Sequence, residues 1–360
     1  MFLRKLPTEP IFFAHIPKTA GTSFRQAGIR AWGKSRVWLD YGDSKHTSVA
    51  VARLVHWQPD YYKFQQQLAR SGICMLSGHA PIRYYRRIFP ADRLVTLVRD
   101  PVERVTSHFH TACARQGYRD DFQTFCRIPE NQNVQSRYLE QMPMELIGFI
   151  GLTERYKESL ELFNFSYKTD LKQLQLNRHS DRQRNNESMH CSTILTPDEL
   201  AFARSVNEKD IDLYEKTCAL FNQRLELRRN NAPYVHGKLQ TISNTHISGW
   251  AVQYGNLEKP VQLELYVNGK LHAELIASHY QPAMKEGNAG RDGYIGFKHR
   301  LQQELSPDDH VEIRVAGSRQ ILNGPRKIPM STTETQENAT ARAANDATND
   351  LQANQLRLAI

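Results

Sequence analysis

The chain has 360 residues, with 47 Lys and Arg against 38 Asp and Glu for a net charge of +9, 24% charged residues and 40% hydrophobic ones. These proportions are close to globular averages, so wholesale disorder is excluded, and the length suits one large domain or two smaller ones. No run approaches the roughly 18 to 20 apolar residues of a membrane helix, and Met1-Phe2-Leu3-Arg4-Lys5-Leu6 is too short for the apolar region of a signal peptide, which points to a cytoplasmic protein.

Five cysteines, Cys74, Cys113, Cys126, Cys191 and Cys218, have no CxxC spacing and an odd count. That argues against a disulfide framework or a zinc site and for thiols in a reducing compartment. Residues 328–360 hold four acids and two bases, which leaves +11 on the remainder. A body of that sign favours anionic ligands without choosing among nucleotides, acidic glycans, nucleic acids and membranes.

The first apolar run, Ile11-Phe12-Phe13-Ala14, reads as a strand and feeds into Pro17-Lys18-Thr19-Ala20-Gly21-Thr22-Ser23-Phe24, after which helical character resumes. A strand that stops at a tight loop and restarts as a helix gathers backbone N–H groups and the positive end of the helix dipole around one point, where an oxyanion fits. Lys18 adds a mobile positive charge, Gly21 permits close backbone approach, and Thr22 and Ser23 add hydroxyls. The spacing is not the Gly-x-x-x-x-Gly-Lys-Ser/Thr of nucleoside triphosphatases, which disfavours a Mg²⁺-ATP site; a polar turn with an ordinary cap is the competing reading.

A short run at 73–76 places His79, in Leu76-Ser77-Gly78-His79-Ala80-Pro81, near the end of another strand. A histidine titrates near neutrality and can serve as a general base without large tuning. Arg83, Arg86 and Arg87 then interleave with Tyr84 and Tyr85, a cluster that suits sugar stacking or a solvated helix face.

Leu94-Val95-Thr96-Leu97-Val98 reads as a buried parallel strand and ends in Arg99-Asp100-Pro101-Val102-Glu103. Asp100 as N-cap, Pro101 at the first helical position and Glu103 in a capping box predict a helix start. Arg99 therefore sits at the carboxyl end of a strand, where open α/β sheets bind ligands, and Ser107 two turns later can point to the same side. A guanidinium with a hydroxyl suits a phosphate monoester, while a surface pair of Arg99 with Asp100 or Glu103 is the alternative. A further apolar run at 146–150, a helical stretch at 154–163 and a helix over 197–227, opened by Thr196-Pro197-Asp198-Glu199, complete an α/β region ending near residue 230.

Short β-like runs follow between 236 and 325, with Asn268-Gly269 as a hairpin turn, and predict a small all-β, sandwich-like domain. Residues 328–360 are rich in Thr, Asn, Ala, Gln and Glu and nearly free of aromatics, which predicts a disordered tail.

The stretches 15–24 and 97–108 together resemble the two nucleotide-binding motifs of sulfotransferases that use 3′-phosphoadenosine 5′-phosphosulfate (PAPS), in particular carbohydrate sulfotransferases related to heparan and uronyl 2-O-sulfotransferases. Weaker likenesses at 133–139, 151–160 and 210–214 extend the resemblance to about residues 10–227. It implies a PAPS-dependent sulfotransferase domain over 1–230, with a P-loop-like parallel sheet flanked by helices, followed by the all-β accessory domain at 236–325. It further implies that Lys18, Thr19, Gly21, Thr22, Ser23 and Phe24 belong to the 5′-phosphosulfate loop, that Arg99 and Ser107 hold the 3′-phosphate, and that His79 is the base. The resembling enzymes carry a Gly-His or His-Gly-His element in that interval; here one histidine stands alone, which leaves the role of a second vacant or filled from elsewhere.

The expected function is transfer of a sulfuryl group from PAPS, as co-substrate, to a hydroxyl of a carbohydrate or glycoconjugate. Anionic acceptors are compatible with the charge, and neither a metal nor nucleic acid is expected. Lys18 would stabilise the leaving phosphate and His79 would take the acceptor proton. No HExxH, acidic triplet or paired Cys/His spacing marks a metal site. The rival expectation is a non-catalytic glycan- or nucleotide-binding protein that uses the aromatic residues Trp250, Tyr254, Tyr266, Tyr280 and Tyr294 of the β domain.

Overall fold

A computed structural model of the protein describes residues 5–174, 195–306 and 308–327; Cys191 and the tail 328–360 lie outside the described residues. Five parallel strands, β1 (Ile11–Ala14), β2 (Val37–Asp40), β3 (Met75–Gly78), β4 (Leu94–Val98) and β5 (Phe149–Leu152), form one sheet in the order β2-β3-β1-β4-β5. All but β2 are buried along their whole length. Burial on both faces is why they read as unbroken apolar runs rather than as alternation.

The strands are linked by α1 (Gly21–Trp32), α2 (Val49–Val51), α3 (Tyr61–Ser71), α4 (Ile82–Tyr85), α5 (Pro101–Gln116), α6 (Phe122–Arg127) and α7 (Val134–Leu139), and α8 (Tyr156–Tyr167), α9 (Pro197–Ser205) and α10 (Glu208–Arg229) follow β5. α2 runs on into a π turn, Ala52–Trp57. The helix expected over 197–227 is thus two helices. The buried Asn207 breaks it: its side chain donates to the Ala203 carbonyl at 2.9 Å and accepts from the Asn133 amide at 2.9 Å, so a tertiary clasp outweighs helix continuation. The capping box of Thr196 with Glu199 forms as the sequence predicts.

The remaining strands are β6 (His236–Ile242), β7 (His246–Val252), β8 (Val261–Val267), β9 (Lys270–Ala277), β10 (His279–Tyr280), β11 (Tyr294–Arg300), β12 (His310–Val315) and β13 (Ile321–Lys327), with one short helix, α11 (Pro282–Glu286). They form two antiparallel four-stranded sheets, β10-β11-β7-β6 and β13-β12-β8-β9. Asn268 and Gly269 turn β8 into β9 with φ of 49° and 77°, the positive pair that a tight hairpin requires.

Leu239, Ile247, Phe297, Leu263, Leu265 and Ile313 fill the space between these sheets. Trp250, Val252 and Ile295 belong instead to the apolar core of the parallel sheet, as do Met284 and Ala289. The central strands of the β10-β11-β7-β6 sheet, β7 and β11, therefore carry buried residues on both faces. Polar contacts follow the same seam: the Tyr254 hydroxyl donates to the Leu146 carbonyl at 3.0 Å, and the Ala91 amide donates to the Asn288 carbonyl at 3.0 Å.

Candidate functional site

Parallel strands end at one edge of their sheet, so the residues after β1, β2, β3 and β4 are brought together whatever their spacing in the chain. Residues after β1 cross toward β2 and β3 on one side, while β4 and β5 lie on the other, so strand order reverses beside β1. Open α/β sheets bind ligands at such a point.

The loop after β1 has two non-glycine residues in the left-handed region, Lys18 at φ 72° and Ala20 at φ 62°. Such backbone costs energy and clusters at binding loops. Ala20 caps α1 through its carbonyl, which accepts from the Ser23 amide at 3.0 Å and the Phe24 amide at 3.2 Å; no side chain caps this helix and no acid lies in its first turn. Its positive dipole end is left open to an anion.

Lys18 reaches away from β1 and donates from Nζ to Thr111 Oγ1 on α5 at 2.7 Å. Thr111 in turn donates to the Ser107 carbonyl at 3.0 Å. This short chain of contacts joins the β1 loop to the middle of α5, the helix that carries Ser107. His108 lies between them: burial is the main cause that lowers its pKa to about 4, with Arg104 and Lys18 adding positive field.

On the other side of β1, register sets the geometry. Ala14 pairs with Gly78, and the His15 amide donates to the Gly78 carbonyl at 2.9 Å. The next residue on each strand is a histidine, and the two imidazoles stack with centroids 4.5 Å apart and planes 27° from parallel. His15 is buried and His79 reaches solvent. His15 also presses on the start of α1: a Cβ at Gly21 would stand 2.0 Å from His15 Cδ2. Glycine at 21 is thus required by a ring as well as by any ligand.

The His79 amide donates to the Asp40 carbonyl at 3.1 Å, the Tyr138 hydroxyl donates to the His79 carbonyl at 3.2 Å, and the Tyr41 ring lies 5.0 Å away. The Arg25 guanidinium sits over Tyr41 at 5.6 Å. Burial, followed by the Coulomb fields of His79 and Arg25, lowers the His15 pKa to about 3. His79 is also held below the ordinary histidine range, first by desolvation and then by Arg25. Both rings are neutral near pH 7, the state a general base needs.

Arg99 stands at the end of β4 with its backbone clamped by buried Gln135, which accepts from the Arg99 amide and donates to its carbonyl, both at 2.8 Å. Its guanidinium pairs with Glu103 at 3.0 Å, the surface pairing weighed as the alternative to phosphate binding. Glu103 consequently does not close the expected capping box. Asp100 caps α5 by accepting from the Val102 and Glu103 amides at 3.0 Å, and the Asp100 amide is taken by Glu154 Oε1 at 2.9 Å. Glu154 is thus a cap from a distant loop, and Arg155 is occupied by Glu158 and Asn222.

The remaining motif residues divide. Thr22 is partly accessible, and Ser23 and Ser107 are buried beside the loop and on α5. Thr19 turns its hydroxyl back to the Ile16 carbonyl at 2.9 Å, and the Phe24 ring packs on Phe13 and Phe163 in the core, 4.5 and 4.9 Å away. Tyr85 likewise leaves the basic cluster at 83–87: it is fully buried and donates to Asp40 Oδ2 at 2.7 Å. In the β sandwich Trp250 is buried, Tyr254 and Tyr266 are engaged in hydrogen bonds, and Tyr280 and Tyr294 are exposed as a cross-strand pair.

Arg25, Tyr41 and Thr111 escaped the sequence reading because nothing in their local spacing marks them, and Arg104 and Gln135, which lie within the stretches 97–108 and 133–139, had no role assigned to them. Several polar atoms around this edge are buried with no hydrogen-bond partner: His15 Nδ1, Arg25 Nε, Arg104 Nε and Nη1, and His108 Nδ1. Arg104 is fully buried, and desolvation lowers its pKa to about 10 against the opposing field of Asp210. The Arg25 and Arg104 nitrogens are donors on cations, and unsatisfied buried donors are costly. Among the described residues no group of three or more His, Cys, Asp or Glu is placed to hold a metal ion, and no helix is long and apolar enough to cross a membrane. A cleft of about 940 Å³ between α7, α10 and β6 lies elsewhere. No protein-family model and no curated protein matches this chain, so its function is read from the side chains gathered at this sheet edge.

Proposed function

We propose that the chain is a PAPS-dependent sulfotransferase acting on a hydroxyl of a carbohydrate or glycoconjugate, with the loop after β1 as a P-loop-like cradle for the 5′-phosphosulfate. One observation carries this reading: the 2.7 Å bond from Lys18 to Thr111 draws the β1 loop and the Ser107 helix around a common space, with a neutral histidine on the opposite flank. A bisphosphorylated nucleotide has an anion for each of those two loops.

In this reading Lys18, the first-turn backbone of α1, Thr22 and Ser23 hold the phosphosulfate, and Ser107 and Arg99 hold the 3′-phosphate. Arg99 must exchange Glu103 for phosphate, which is a small barrier because exposed ion pairs contribute little. The acceptor oxygen forms a bond to sulfur as the bond from sulfur to the phosphate oxygen breaks. The acceptor proton passes to His79, and Lys18 stabilises the negative charge that grows on the leaving phosphate. The reading places the protein in the cytoplasm, where the free thiols of Cys74, Cys113, Cys126 and Cys218 stay reduced.

Calorimetry with adenosine 3′,5′-bisphosphate, followed by transfer of ³⁵S from labelled PAPS to a panel of neutral and acidic glycans, tests the proposal. Binding that His79→Ala retains, with loss of most turnover, supports it. Absence of binding heat overturns it.

A further inference from the structure

We propose that His15 is a positioning residue, an imidazole packed between the first residue of α1 and the face of His79, which fixes the base relative to the anion loop. The inference rests on the functional reading above for its consequence in turnover, but its physical content concerns the ligand-free protein.

The wedge follows from the fold. In-register pairing of β1 with β3 puts His15 and His79 side by side at the carboxyl edge, and the tilt of 27° leaves their faces in contact. The Cδ2–Nε2 edge of His15 meets Gly21 so closely that any side chain there would collide with the ring. A shift of the α1 start must therefore move His15, and a shift of His15 must move His79.

The groups that face His79 are few: His15 from β1, Arg25 from α1, Tyr41 from the segment after β2, the Tyr138 hydroxyl of α7 on its backbone carbonyl, and Asp40 at the end of β2, whose carbonyl accepts from the His79 amide while its carboxylate is held by Tyr85, His56 and the Gly42 amide. Arg25 is the one cation among them, and no acid pairs with it among the described residues. His15 supplies dry surface on one face of His79, which disfavours the protonated form. Its other contribution is orientation. One face of the His79 ring lies against His15 and the Tyr41 ring stands 5.0 Å away at 47°, so two sides are bounded while the residue stays exposed to solvent.

The test follows the imidazole C2–H resonance of His79 by NMR through a pH titration, assigned with His79→Asn, in the intact protein and in His15→Phe and His15→Ala. In the intact protein the midpoint is expected below the ordinary histidine value. His15→Ala admits water beside His79 and should move the midpoint upward; His15→Phe keeps an apolar ring in the wedge and should leave it low. Gly21→Ala, which forces the ring aside, should shift the His79 resonance although it alters no group in contact with His79. Unchanged midpoints in His15→Ala, or an unmoved resonance in Gly21→Ala, would overturn the proposal. None of these readouts needs nucleotide, so a protein that titrates as expected yet binds no adenosine 3′,5′-bisphosphate refutes the sulfotransferase reading and leaves the wedge standing. If the nucleotide binds, its addition should move the His79 resonance in the intact protein and not in His15→Ala.

Discussion

Acid should destabilise this protein in part through a single histidine, and the amount can be worked out. His15 is 5% exposed and its pKa falls from 6.5 to about 3 on folding, chiefly because burial penalises the imidazolium. Between those values the unfolded chain binds a proton that the folded chain refuses, so stability falls as pH drops below about 6.5 and continues to fall toward 3. At about 1.4 kcal/mol per pH unit, the step from pH 7 to pH 5 costs about 2 kcal/mol, since the first half unit above the unfolded pKa contributes little. His15→Phe removes this titration. Urea unfolding of both proteins at the two pH values gives a difference of differences in which His108 and His236 cancel. The intact protein should lose about 2 kcal/mol more than His15→Phe. Equal losses would mean that His15 is hydrated or partnered in the folded state, and the stacked, dry imidazole pair would be wrong.

Three further outcomes are expected. Lys18→Ala should weaken adenosine 3′,5′-bisphosphate binding by about 1.5 to 3 kcal/mol, the worth of charge-assisted hydrogen bonds, as read by calorimetry; Arg99→Ala should cost less, because the intact side chain must first leave Glu103. Asp40→Ala removes the acceptor of the buried Tyr85 hydroxyl, of His56 Nε2 at 2.7 Å and of the Gly42 amide at 3.0 Å. It should lower stability by about 2 to 4 kcal/mol in chemical denaturation, with Asp40→Asn in between. Removal of residues 234–360 exposes the surface that Trp250, Val252 and Ile295 cover, and the shortened protein should aggregate or bind a hydrophobic dye; a stable monomer would show that the shared core is dispensable.

The parallel sheet was legible because a strand buried on both faces writes an uninterrupted apolar run, as in Leu94-Val95-Thr96-Leu97-Val98, and because the turn chemistry at Asp100 and Pro101 is local. β2 was not legible: it is four residues long, two of them only partly buried, and it ends in Asp40. Its assignment depends on pairing with β3, a contact made across 35 or more residues. The same limit applies to Glu154, whose bond to the Asp100 amide replaces the expected role of Glu103, and to Asn207, whose clasp on Asn133 splits a helix with continuous propensity. Local signals are outvoted where a tertiary partner offers a better hydrogen bond.

The candidate site illustrates what lies between those limits. Lys18, His79, Arg99 and Ser107 each announce themselves by position after a strand or within the helix that follows, yet no spacing in the chain says that Lys18 bridges to α5 or that His15 lies against His79. Those relations are consequences of strand order and register. Order 2-3-1-4-5 puts the β1 loop between the ends of β3 and β4, so one loop touches both a candidate base and a candidate phosphate helix. The pairing of Ala14 with Gly78 then decides which residues stack. A slip of one position along β3 would set Gly78 or Ala80 beside His15 and turn His79 to the other face of the sheet. An imidazole beside His79 thus comes from β1, through a register that the buried apolar faces of both strands enforce.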